Sequence, residues 1–100
     1  MIYLDNNATT RPSDATVREM ARALTDYWHN PSSIHRPGQA ARQAVDLARK
    51  SVATLIGARP REITFMGSGT EAIVAAIVGS LRQTTRRVVV STPVESSRVS

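Results

Sequence analysis

Cysteine is absent from these 100 residues. No disulfide, thiolate metal site or thiol nucleophile can be built within them. Lysine occurs once, at Lys50. That lysine falls on the polar face of a helical pattern, where a solvated ammonium is the ordinary reading. Aromatic residues number four, too few for the stacking platforms that grip single-stranded nucleic acid. No apolar run is long enough to span a bilayer, and no basic-then-apolar leader opens the chain. A soluble, cytoplasmic protein without membrane contact is the expectation. Neither an internal repeat nor a low-complexity segment occurs.

What is present in excess is arginine. Twelve Arg and one Lys against eight acidic residues give a formal charge of +5. The arginines are scattered and mostly fall on polar helix positions, which reads as solvated helix faces. A nucleic-acid partner is not expected. An apolar content of 41% over this length suits one domain or part of one. It is short for a complete small-molecule enzyme, and the pattern looks like the first part of a larger fold.

The local patterns are clear. Ile2-Tyr3-Leu4 is a short extended segment, and Asp5-Asn6-Asn7-Ala8-Thr9-Thr10 is turn-prone. Val17, Met20, Ala21, Leu24 and Trp28 recur at helical spacing, which predicts an amphipathic helix over 13–28, capped by Ser13 or Asp14. Asn30-Pro31-Ser32-Ser33 ends it. A second helix is predicted from about Gly38 to Ile56, with Ala41, Ala44, Val45, Ala48, Val52, Leu55 and Ile56 as its apolar stripe. Gly57 is placed to close it, with Pro60 beyond. A strand over 62–66 should follow, then a helix from Thr70 to Leu81 that is apolar on all sides, as a helix buried between layers would be. Arg87-Val88-Val89-Val90-Ser91 has the composition of a buried parallel strand. Strand, helix and strand in that order predict an α/β fold, with helices packed on a mainly parallel sheet.

The most informative run is Phe65-Met66-Gly67-Ser68-Gly69-Thr70-Glu71-Ala72. A small-residue turn from strand into helix leaves outward-pointing N–H groups without partners. Together with the positive end of the helix dipole they suit a phosphate. Thr70 adds a hydroxyl. The run also fits the dinucleotide fingerprint, but the acidic residue that should end the next strand is replaced by Ser91-Thr92. No Gly-Lys-Ser/Thr follows, which excludes a nucleotide P-loop. The bland alternative is a turn that only packs a helix on a sheet. His29 and His35 lack metal-ligand spacing with other donors, so no metal site is expected.

Four blocks in order carry a family resemblance. They are Tyr3-Leu4-Asp5-Asn6-Asn7-Ala8-Thr9-Thr10, Asn30-Pro31-Ser32-Ser33-Ile34-His35, Gly38 with Ala41-Arg42, and Gly69-Thr70-Glu71-Ala72. Together they resemble the start of a cysteine desulfurase of the NifS and IscS type, a class V aminotransferase dependent on pyridoxal phosphate (PLP). The resemblance spans essentially the whole chain. It implies the N-terminal portion of the PLP-dependent transferase fold, fold type I, like aspartate aminotransferase. Residues 1–12 would be an N-terminal arm, 13–57 two helices and 62–100 the start of the cofactor-binding sheet.

The resemblance also implies chemistry. Gly69 and Thr70 would hold the PLP phosphate. Asn7, Ala8 and Thr9 would lie near the substrate, and Asn30 to His35 near the mouth of the site and the dimer contact. The implied reaction turns L-cysteine into L-alanine in a homodimer. The sulfur passes as an enzyme persulfide to an acceptor in iron–sulfur cluster or thio-cofactor synthesis. The Schiff-base lysine and the persulfide cysteine lie beyond residue 100 in the family, so these residues alone should be inactive.

There are departures from the family pattern. Ser96 occupies the place of the family's ring-stacking histidine, after Glu95. Serine can neither stack on the ring nor serve unaided as a base near neutral pH. Met66-Gly67 replaces the usual Thr-Ser, and Ile73 the common Asn. The alternatives are a divergent class V aminotransferase or lyase acting on another amino acid, and a non-catalytic remnant or interaction module.

Overall fold

A computed structural model describes residues 1–93. Ser96 and Glu95 lie outside the described residues. Two compact units make up the chain, Met1–Ile63 and the part from Thr64 onward.

In the first unit, α1 spans Asp14–Asp26. Of the two candidate caps it is Ser13 that acts: its Oγ accepts the Thr16 N–H at 3.1 Å. Asp14 in the first turn complements the helix dipole. The helix stops short of the predicted Trp28, with Tyr27 as its C-cap. Pro31 disfavours a helical Asn30, so the chain must leave the helix before it. On the surface of α1, Arg22 pairs with Glu19 at 3.0 Å. The hydrogen bond and the charge of Glu19 hold the exposed Arg22 guanidinium above its ordinary pKa.

The second helix, α2, spans Arg36–Ile56 and begins two residues earlier than the sequence predicts. Pro37 sits in its first turn, where the missing N–H would have had no partner anyway. Gly57 closes the helix in the left-handed conformation, φ 70°, as its position predicts. Its N–H and that of Ala58 return to the carbonyls of Thr54 and Ala53. A 3₁₀ turn, Pro60–Glu62, then packs against α2. Arg49 of α2 ties down the following residue, donating from Nη1 to the Ile63 carbonyl at 2.6 Å. Ala41 and Ala53 are the buried apolar residues of the first unit. Ala53 was not part of the predicted stripe, whereas Leu55 and Ile56, which were, are exposed.

In the second unit α3 spans Gly69–Arg82. The expectation that it is buried on all sides fails among the described residues. Ile73 and Ile77 are half-buried, and Val74, Val78 and Leu81 are exposed, because no described element packs closely on this helix. The predicted strands are also absent among the described residues. Glu62 belongs to the 3₁₀ turn, fixed by its carboxylate accepting the Arg59 N–H at 2.7 Å. Ile63 is extended, at φ −100° and ψ 126°, but neither 62–66 nor 87–91 is a strand among the described residues. A strand is defined by hydrogen bonds to another strand, and the β-branched run 88–90 remains exposed. No helix of the described residues is long and apolar enough to cross a membrane.

Candidate cofactor site

The glycine turn folds as a shaped helix start. Ser68 is the N-cap, with an extended backbone at φ −160° and ψ 163°. Its Oγ accepts the Glu71 N–H at 3.2 Å, and its carbonyl accepts the Ala72 N–H at 3.1 Å. The Glu71 carboxylate reaches back and accepts the Gly67 N–H at 2.9 Å. Three donors at the helix start remain, the N–H groups of Ser68, Gly69 and Thr70, and none meets an acceptor among the described residues. The Thr70 hydroxyl is likewise unengaged there.

Gly69 has no positive φ, so its backbone does not require glycine. A Cβ placed on it would meet nothing within 4 Å. The missing side chain therefore leaves clear space beside the Gly69 and Thr70 donors at the positive end of a 14-residue helix. Those N–H and O–H donors at a helix N-terminus fit a phosphate ester. No cluster of metal-ligating side chains occurs among the described residues.

The other predicted site residues lie in the first unit. Asn7, Ala8 and Thr9 belong to one exposed turn gathered on the Asp5 carbonyl. That oxygen accepts the Ala8 N–H at 3.0 Å, the Thr9 N–H at 3.4 Å and the Tyr3 hydroxyl at 3.1 Å. The turn presents the side chains of Asn6 and Asn7 to solvent.

The loop 30–35 is more tightly built. Asn30 Oδ1 accepts the Ser32 N–H at 2.9 Å, an Asx turn, and the Asn30 carbonyl accepts the Ser33 N–H at 3.1 Å. His35 is the N-cap of α2: its Nδ1 accepts the Gly38 N–H at 3.1 Å. Trp28 stacks on His29 with ring centroids 3.9 Å apart, and His29 meets His35 edge-on at 6.2 Å. His35→Ala should lower the stability of the full-length protein by about 1 kcal/mol, the usual worth of an N-cap. His35→Asn should restore it, and urea unfolding of both variants checks this.

Sequence reasoning missed two parts of this arrangement. The capping role of His35 had no signal, because histidine is not a common cap. The bracket of Ser68 and Glu71 did have one, since Ser-x-x-Glu at the start of an apolar helix is a capping-box pattern.

A chain with a phosphate-fitted turn opening α3 and two preceding helices matches Aminotransferase class-V over residues 2–98, and it belongs to that family. The relatives narrow the likeness. It is 45% identical over 100 residues to a cysteine desulfurase of Trichormus azollae, covering 99% of this chain and 25% of that protein. It is 51% identical over 81 residues to a cysteine desulfurase of Frankia sp., covering 81% of this chain and 19% of the other. A selenocysteine lyase of Xenopus tropicalis is 45% identical over 71 residues, 71% of this chain and 16% of its own. The chain thus spans about a quarter or less of the length of these curated relatives. No solved structure matches significantly.

Proposed function

We propose that this chain carries the cofactor-phosphate turn of a PLP-dependent cysteine desulfurase. The enzyme converts L-cysteine to L-alanine and passes the sulfur to an enzyme thiol as a persulfide. The observation that carries the reading is the pair of spare N–H donors at Gly69 and Thr70, in a chain that matches the family from residue 2 to residue 98. The names of the relatives support the substrate.

In this reading the Gly69 and Thr70 N–H groups and the Thr70 hydroxyl hold the phosphate, and Gly69 leaves room for it. Bound PLP supplies an electron sink for the α-carbon of the amino acid. The Asn7–Thr9 turn lies near the substrate and the loop 30–35 near the mouth of the site. Lys50 is exposed on α2 and is not the lysine that anchors the cofactor. Residues 63–66 and 87–91 become strands of a mainly parallel sheet once neighbours are present, and the exposed face of α3 is covered with them. The working enzyme is a homodimer that delivers sulfur to an acceptor protein.

Alanine release and PLP absorbance by the full-length protein test the proposal. Bound PLP with equimolar alanine and persulfide from L-cysteine is the expected result. Bound PLP without alanine would overturn the desulfurase assignment. It would favour a class V enzyme acting on another amino acid, a reading that Ser96 in place of the ring-stacking histidine already supports. L-Selenocysteine is the first alternative substrate to compare, given the selenocysteine lyase among the relatives.

A further inference from the structure

Glu71 holds none of the donors assigned to the phosphate, yet it decides which donors are left for it. Its own N–H is taken by Ser68 Oγ at 3.2 Å, and its carboxylate takes the Gly67 N–H at 2.9 Å. In an ordinary capping box that carboxylate returns to the N-cap N–H; here it reaches one residue further back. Glycine permits the approach, because a Cβ on Gly67 would lie 3.1 Å from Glu71 Oε2. The result is a turn braced on both sides, with the Ser68, Gly69 and Thr70 N–H groups still without an acceptor among the described residues.

The brace has an electrostatic consequence. A carboxylate at the positive end of α3 stabilises the turn when no anion is bound. A phosphate arriving at the same end would meet a like charge. We propose that Glu71 is a positioning residue of the cofactor turn. Its hydrogen bond to Gly67 shapes the turn, and its charge lowers the turn's affinity for the phosphate. The inference rests on the PLP reading above. The two effects can be separated, since glutamine keeps an acceptor for the Gly67 N–H and loses the charge, whereas alanine loses both.

The experiment uses the full-length protein freed of PLP, as wild type, Glu71→Gln and Glu71→Ala. Titration calorimetry compares two probes: 4-deoxypyridoxine 5′-phosphate, which has no aldehyde and so binds without a lysine adduct, and phosphate-free 4-deoxypyridoxine. Glu71→Gln should bind the phosphate ester about three- to tenfold more tightly than wild type, the scale of one screened charge repulsion removed. Its affinity for the phosphate-free probe should not change. Glu71→Ala should forfeit the gain, because its turn is no longer braced. An unchanged or weaker phosphate-ester affinity in Glu71→Gln overturns the inference, as does an equal shift for both probes, which a purely structural role would give. If the alanine variant does not fold, the glutamine variant alone decides. Failure of wild type to prefer the phosphate ester would instead overturn the PLP reading itself.

Discussion

Thr70→Ala in the full-length protein should weaken PLP binding by about 10- to 100-fold, the worth of a hydrogen bond from a hydroxyl to a charged phosphate. Thr70 occupies the second position of α3, and its hydroxyl supports no other described group, so its loss should leave the helix in place. The ordinary propensity gain of alanine over threonine works in the same direction. Thr70→Ser keeps the hydroxyl and should stay within a few-fold of wild type. Absorbance titration of the PLP-free protein measures all three. Wild-type affinity in Thr70→Ala, with its fold intact, would remove the hydroxyl from the phosphate site. The assignment would then rest on the backbone donors alone.

Gly38→Ala should destabilise the protein by about 1–3 kcal/mol, the usual cost of forcing a methyl into a filled space. Gly38 is buried in the first turn of α2. A Cβ on it would lie 2.7 Å from the Asn30 carbonyl oxygen, and 2.8 Å from both the Cβ and the carbonyl oxygen of Ser33. None of these atoms ends a flexible side chain, so the loop 30–33 itself must move. The Asx turn at Asn30 and the His35 cap bonded to the Gly38 N–H would be strained together. The measurement is the urea midpoint of the full-length protein, with Gly57→Ala for comparison. At Gly57 no atom lies within 4 Å of an added Cβ, and the cost there is purely the positive φ. A Gly38→Ala variant as stable as wild type would mean that the loop yields freely and that its close approach is not a constraint.

The candidate site was legible in unequal parts. The phosphate turn could be read because its components are consecutive: small residues, a hydroxyl and a helix start. The space beside Gly69 and the division of donors between Glu71 and the ligand could not be read. The second depends on where the Glu71 carboxylate, four residues beyond Gly67, finally points. The requirement for glycine at position 38 was likewise hidden. Nothing in Arg36-Pro37-Gly38-Gln39 demands it until the loop 30–33 is folded against the helix. His35 looked like a lone histidine, and only its distance to the Gly38 N–H makes it a cap.

The sequence by itself determined the three helices of the described residues. A helix bonds residue i to residue i−4, so spacing, Ser13, Ser68 and Gly57 suffice to start and stop it. Predicted and observed limits therefore differ by only two residues at most. The three-dimensional arrangement decided the rest. It tied down the residue after the 3₁₀ turn, because Arg49 of α2 donates to the Ile63 carbonyl 14 residues away. It left the valines at 88–90 exposed and outside any strand of the described residues, because a strand acquires its structure only from a neighbour distant in sequence. Local bonds are written in adjacent residues; non-local ones exist only where the chain brings both partners together.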